Sequence, residues 1–160
     1  MKIRQLIQSD LNEVLRIYEE GMETGCATFE TKVPTKEIWD QKYHPTLRFV
    51  AEENGQVYGW ISVSQVSRRE VYKGVGEISI YINSTVRGMG VGTLLMQKMI
   101  EESENVGFWT LESSIFAINE SSIALHKKRF RIVGTREKIA KRKGKWYDTI
   151  IMERRSKLIM

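Results

Sequence analysis

Three glycines at alternate positions, Gly88, Gly90 and Gly92, stand between a segment with strand periodicity and one with helix periodicity. Before them, Ile78, Ile80 and Ile82 alternate with Glu77, Ser79 and Tyr81, which predicts a strand over Gly76 to Ile82 with one apolar face. After them, Leu94, Leu95, Met99 and Ile100 recur at helical spacing and predict a helix from Gly90 to Glu104 with those four residues inward. Glycine lets the backbone turn tightly and lets a ligand approach closely. The N–H groups that open a helix suit a pyrophosphate, and Arg87 adds a positive charge beside them. The spacing excludes two better-known nucleotide motifs. A phosphate loop needs Gly-Lys-Ser/Thr, where this chain reads Gly90-Val91-Gly92-Thr93. A dinucleotide fingerprint reads Gly-x-Gly-x-x-Gly in the first βαβ unit, whereas this turn is Gly-x-Gly-x-Gly at mid-chain. Taken alone, the turn fits a ligand cradle or a purely structural bend.

The rest of the chain supplies the frame. A short strand is predicted over Lys2 to Ile7. Ser9 caps a helix from Asp10 to Met22, with Leu11, Val14, Leu15, Tyr18 and Met22 on its apolar face, and Gly21 and Gly25 are expected to break it. Thr35 caps a second helix to about Tyr43, ended by His44-Pro45. Leu47 to Glu53 and Gln56 to Ser64 form a hairpin across Asn54-Gly55. Phe108 to Phe116 is a strand, and Asn119 caps a helix to about Lys128. Arg131 to Arg136 and Trp146 to Glu153 are the last strands, joined by a basic loop. The order predicts an α/β (α+β) fold: one domain over residues 1–155 and a tail at 156–160. Its sheet is mixed, mostly antiparallel and about seven-stranded, with helices on both faces.

Composition narrows the classes. A chain of 160 residues fits one domain. No apolar run is long enough for a signal peptide or a membrane span. Cys26 is the only cysteine, which excludes an intramolecular disulfide and fits a reduced, cytoplasmic setting. No His/Cys/Asp cluster has metal-ligand spacing. The net charge of +5 fits simple solubility, a nucleic acid, an anionic surface or a phosphate-rich cofactor. Six of its cations fall between Arg136 and Lys145. That segment lacks interleaved aromatics and any recognised module, so a solvated loop fits it better than nucleic-acid binding.

Arg87-Gly88-Met89-Gly90-Val91-Gly92, following the strand Glu77 to Ile82, resembles the acetyl-CoA motif Arg/Gln-x-x-Gly-x-Gly/Ala of GNAT-superfamily N-acetyltransferases. Further segments resemble the phosphinothricin/methionine sulfoximine acetyltransferase branch: Tyr18 to Phe29, Trp60 to Glu77 through Ser67-Arg68-Arg69, Asn119 to His126, and Gly144 to Asp148. The resemblance covers nearly the whole chain. Two departures stand out: Val75-Gly76-Glu77 replaces Thr-Val-Glu, and Lys128-Arg129-Phe130 replaces Leu-Gly-Phe.

The resemblance implies acetyl-CoA as co-substrate without a metal, a small-molecule amine as acceptor, and a homodimer. It implies that Ile80, Tyr81 and Ile82 pair with the pantetheine arm and that Gly88 to Thr93 hold the pyrophosphate. Asn119 would bond the cofactor arm, beside its role as a helix cap. Acetyl transfer to an amine needs a base, donors for an oxyanion and a proton for the departing thiolate. Glu77 takes the base position. The oxyanion donor falls at the N–H of Ile80 or Tyr81, and His126 falls where a thiolate acid is needed. Arg68 and Arg69 would bind anionic groups of the acceptor, with Tyr72 and Phe29 as walls. Without the resemblance, Glu77 reads as a surface strand glutamate paired with a lysine, and His126 as a helix-face histidine. A peptide or protein N-terminus is the alternative acceptor, and a non-catalytic CoA-binding sensor is the alternative of another class.

Overall fold

The computed structural model describes residues 1–160. Seven strands form one sheet: β1 Lys2–Gln5, β2 Arg48–Glu53, β3 Gln56–Gln65, β4 Val75–Ile82, β5 Thr110–Phe116, β6 Arg131–Arg142 and β7 Lys145–Arg155. Their order is β1-β2-β3-β4-β5-β7-β6. Only the β4–β5 pair is parallel. Helices α1 (Leu11–Glu23) and α2 (Lys36–Lys42) cover one face, while α3 (Val91–Asn105) covers the other and α4 (Glu120–Lys127) packs near β6. The predicted architecture is therefore the observed one. No helix is long and apolar enough to cross a membrane.

Two apolar cores result from the alternation along the strands. Ile61, Val63 and Ile78 meet Leu95, Met96 and Met99 of α3 on one face. Trp60 and Val50 meet Leu11, Val14, Tyr18 and Trp39 on the other. The Asn54-Gly55 turn takes the left-handed backbone at both positions, φ 51° and 80°, as its hairpin requires. Thr35 and Asn119 cap α2 and α4, accepting from the N–H groups of Ile38 and Ser122.

Four expectations are corrected. Gly21 does not break α1 but lies within it, because a Cβ there would sit 2.6 Å from Cδ1 of Tyr81. The glycine permits helix and sheet to touch. Ser9 caps nothing; Gln8–Asp10 is a 3-10 turn, and the Asp10 carboxylate accepts the Ile7 N–H and both Arg4 nitrogens. Leu94 is exposed, and Met96 takes the inward place, because the buried stripe runs through Val91, Leu95, Met96, Met99 and Ile100. The basic segment is strand, not loop. β6 continues to Arg142 and returns through Lys143-Gly144 at φ 50° and 79°, a second two-residue turn with left-handed backbone. A bulge between Arg136 and Ala140, with Lys138 at φ 44°, lets the long hairpin twist.

Candidate active site

The parallel pairing of β4 with β5 covers only Val75 to Glu77 against Thr110 to Glu112. Beyond Glu77 the strands diverge. The ladder fixes which backbone groups face the gap. Asn83 N–H donates to Tyr58 O and Val66 N–H to Val75 O, so odd-numbered residues of β4 exchange bonds with β3. Thr110 N–H donates to Gly74 O, which places the even register towards β5. Ile80 and Ile82 thus direct their N–H and C=O groups into the gap. Tyr81 does not; its backbone belongs to the β3 ladder, and its ring packs against Tyr18 and Trp60 under α1.

The glycine turn opens onto the same gap. Gly88 and Gly90 hold φ 76° and 82°, and no atom lies within 4 Å of a Cβ built at either. Conformation, not crowding, requires glycine there. Gly92 differs: it is helical, and its Cβ would meet Leu125 at 3.0 Å. Gly90 is the N-cap of α3 and offers no side-chain acceptor, so the first-turn N–H groups have no capping side chain. Lys128 lies 3.0 Å from Thr93 Oγ1 through its Nζ, and Arg87 is exposed beside the turn. Together they set two cations at a helix N-terminus, an arrangement suited to phosphates. Met89 is 69% exposed and lines no cavity.

A cleft of about 480 Å³ runs along these features. Its floor is Ile80 to Ile82, its near end Arg87, Gly88 and Gly90 to Thr93, and its walls include Cys26, Asn119 and Lys128. A second cavity of about 260 Å³ adjoins it at Ile80, Tyr81, Asn119 and Ser122. Glu77, Ser79, Phe29, Glu30, Lys42, Tyr43 and His126 line this one. The two cavities meet where β4 and β5 part.

Glu77 is half-buried and stands in register between Ser64 on β3 and Glu112 on β5. Burial pushes the Glu112 carboxyl up, and the neighbouring Glu77 charge adds to it. His126 is only 1% exposed. Its Nδ1 lies 2.7 Å from Ser122 O, so Nδ1 carries the proton and donates it to that carbonyl. Nε2 is buried without a partner. Burial holds the imidazole below the ordinary histidine range, against the Ser122 bond, which raises it. The resting side chain is therefore neutral and presents a lone pair at Nε2, whereas the resemblance implied a proton donor to the thiolate. Phe29 packs on Phe116 at 4.5 Å and near Tyr147 at 6.2 Å, which docks the segment after α1 onto β5 and β7. Arg142 holds the last turn of α1 by donating to Met22 O at 2.9 Å.

Arg68, Arg69 and Tyr72 lie on the exposed connection between β3 and β4, with Arg69 over the Tyr72 ring at 5.3 Å. None of them lines either cavity. The lysine in the wall of the second cavity is Lys42, which the sequence reading missed along with Glu30, Tyr43 and Lys128. No local signal marks them. Tyr43 reaches the site by donating to Ser79 Oγ at 3.1 Å across 36 residues, and burial pushes its hydroxyl up to about 12.

A sequence model described as the Acetyltransferase (GNAT) family matches residues 11–130. A candidate phosphinothricin acetyltransferase of Bacillus subtilis (strain 168) is 35% identical over 160 residues, covering 96% of this chain and 98% of that protein. The L-methionine sulfoximine/L-methionine sulfone acetyltransferase of Pseudomonas paraeruginosa is 28% identical over 159 residues, 94% of this chain and 92% of its own. A crystal structure of a GNAT superfamily phosphinothricin acetyltransferase from Sinorhizobium meliloti, in complex with AcCoA, superposes with a TM-score of 0.86 at 29% identity, covering 96% of this chain and 87% of that one.

Proposed function

This chain belongs to the acetyltransferase (GNAT) family and is an acetyltransferase with acetyl-CoA as co-substrate; from that premise we propose that it acetylates the α-amino group of a small amino-acid-like acceptor of the phosphinothricin, methionine sulfoximine or methionine sulfone type. The observation that carries this reading is the meeting of two cavities at Ile80, one ending in the glycine turn and the other holding Glu77. The residues of the first cavity fit the co-substrate. Ile80 and Ile82 offer strand-like bonds to an amide-bearing arm, and the open turn with Arg87 and Lys128 suits a pyrophosphate. Asn119 already caps α4 and stands at the junction of both cavities.

The acetyl thioester supplies the group to be transferred. Glu77, across the junction, takes the proton from the acceptor's ammonium and leaves the free amine to attack. The N–H of Ile80, unused by the sheet, is the donor available to the oxygen on which negative charge develops. The neutral His126 accepts at Nε2, so it delivers a proton to the thiolate only after taking one up. The acceptor enters past Phe29, Glu30 and Lys42.

The reading extends to assembly. Ile132, Val133, Ile139 and Trp146 are exposed on the β6–β7 hairpin, and β6 is an edge strand. They support a homodimer formed through this hairpin, checked by the mass in solution from light scattering. The lone Cys26 supports a cytoplasmic setting.

Purified protein with acetyl-CoA, assayed for free-thiol release, tests the function. Turnover on methionine sulfone or phosphinothricin is expected. Turnover on peptides alone would replace the acceptor, and tight acetyl-CoA binding without turnover on any amine would leave a sensor. Glu77→Gln should lower kcat by about 100-fold and leave acetyl-CoA affinity near its original value. An unchanged kcat removes Glu77 as the base.

A further inference from the structure

The second cavity shares part of its wall with a neighbouring hollow. This smaller chamber of about 150 Å³ shares Tyr18, Glu30, Lys42 and Tyr43 with it. The chamber adds Lys32 and Trp39 to its own wall. Its polar groups are mainly donors. Neither Lys32 nor Lys42 forms an ion pair within the protein. Lys42 rests over the Tyr43 ring at 5.2 Å. Trp39 is 1% exposed, and its indole N–H has no acceptor. Lys32 and Lys42 are exposed, and the chamber wall carries their two ammonium groups with no carboxylate paired to either. Glu30 supplies the only carboxylate among the lining residues.

The chamber's position relative to the chemistry follows from Tyr43. Its hydroxyl donates to Ser79, two residues along β4 from Glu77 and on the same face. An acceptor with its amine at Glu77 and its side chain extended along β4 therefore reaches the Tyr43 wall with a γ or δ substituent.

We infer that this chamber is a distal subsite of the acceptor site, in which Lys32 and Lys42 hold an anionic oxygen-bearing group at the far end of the acceptor's side chain and favour acidic over neutral amino acids. The inference rests on the second cavity being the acceptor site. It assigns the recognition of that anion to α2 and the loop before it, in place of Arg68 and Arg69, which line neither the acceptor cavity nor the chamber.

The test compares two acceptors of similar shape, phosphinothricin, whose phosphinate is anionic, and methionine sulfone, whose sulfone is neutral. Lys32→Gln combined with Lys42→Gln should reduce kcat/KM for phosphinothricin about fivefold to tenfold, chiefly through KM. The value for methionine sulfone should fall by clearly less, because its side chain offers the two lysines no anion. Lys42→Glu should reverse the preference. An unaltered melting temperature and acetyl-CoA affinity confirm that the lysine variants are folded. Equal losses on both acceptors, or none on either, overturn the subsite. If the wild-type protein acetylates neither amino acid, the proposed function fails, and calorimetric titration of phosphinothricin into the CoA-bound protein then reads the chamber directly. Binding lost in the double variant sustains it; no binding, or binding indifferent to the lysines, overturns it.

Discussion

Gly21→Ala should destabilise this protein, although the same exchange inside most helices stabilises. Alanine is favoured over glycine by about 1 kcal/mol in a helix interior. At this position the new Cβ would lie 2.6 Å and 2.8 Å from Cδ1 and Cε1 of Tyr81. Ordinary contact begins at 3.4 Å, so helix and ring must part by about 0.8 Å (3.4 minus 2.6). The ring has little room to yield. It stacks on Trp60 at 5.1 Å and leans on Tyr18 at 4.8 Å, and Trp60 is fully buried. Overpacking of this kind costs about 1–3 kcal/mol. The tight packing of the ring puts the cost towards the top of that range, and set against the helix gain the net loss is up to about 2 kcal/mol, or up to roughly 8 °C in Tm for a domain of this size. Urea unfolding with an unchanged m-value measures it. In a Tyr81→Leu background the penalty should largely disappear, giving a coupling of about 1 kcal/mol or more between the two positions. Because Gly21 and Tyr81 both line the large cleft, the alanine variant should also bind acetyl-CoA more weakly. A Gly21→Ala protein as stable as the parent, or more so, would mean that α1 is free to slide on the sheet and that Gly21 marks nothing.

Arg87→Ala combined with Lys128→Ala should weaken acetyl-CoA binding about tenfold at low salt. Both side chains are exposed, so the gap between variant and parent should narrow as ionic strength rises from about 0.05 M to 0.5 M; a loss independent of salt would point to packing instead. Asp10 contributes to the acid limb of stability. Its burial opposes ionisation, but the Arg4 bonds and the Ile7 N–H outweigh that and hold the carboxyl below its ordinary value of 3.8. As acid is added, the unfolded chain takes up the proton first, so the stabilisation is whole above about pH 5, fades as the pH falls through that ordinary value, and is gone below the folded one. Asp10→Asn should therefore cost about 1–2 kcal/mol at neutral pH and progressively less as the pH falls below that ordinary value, read from urea midpoints across pH; a constant difference would show that the charge is not what matters.

Local chemistry made several features legible. Turn types needing left-handed backbone are written as Asn54-Gly55 and Gly88 to Gly90, because few other residues adopt that conformation. Caps are written as Thr35 and Asn119, because a short side chain must reach an N–H two or three residues on. The strand carrying Glu77 and Ile80 follows from period-two alternation. At Gly21 and in the basic segment, a contact distant in sequence had outweighed a local preference. Gly21 looked like a helix breaker because Tyr81 lies 60 residues away along the chain. The stretch from Arg136 to Lys145 looked like a loop because its charges say nothing about a pairing partner, and strand pairing with β7 set its conformation.

The sequence by itself determined the glycine turn, the strand before it and the order of elements, since each rests on residues within a few positions of one another. Only the tertiary structure decided which groups those elements face. The divergence of β4 from β5 frees Ile80 while β3 takes Tyr81, the Ser122 carbonyl fixes the proton on His126, and α2 brings Lys42 to the cavity while Arg68 and Arg69 stay outside it. These outcomes depend on pairings across tens of residues, which sheet register and helix packing set and no short pattern encodes.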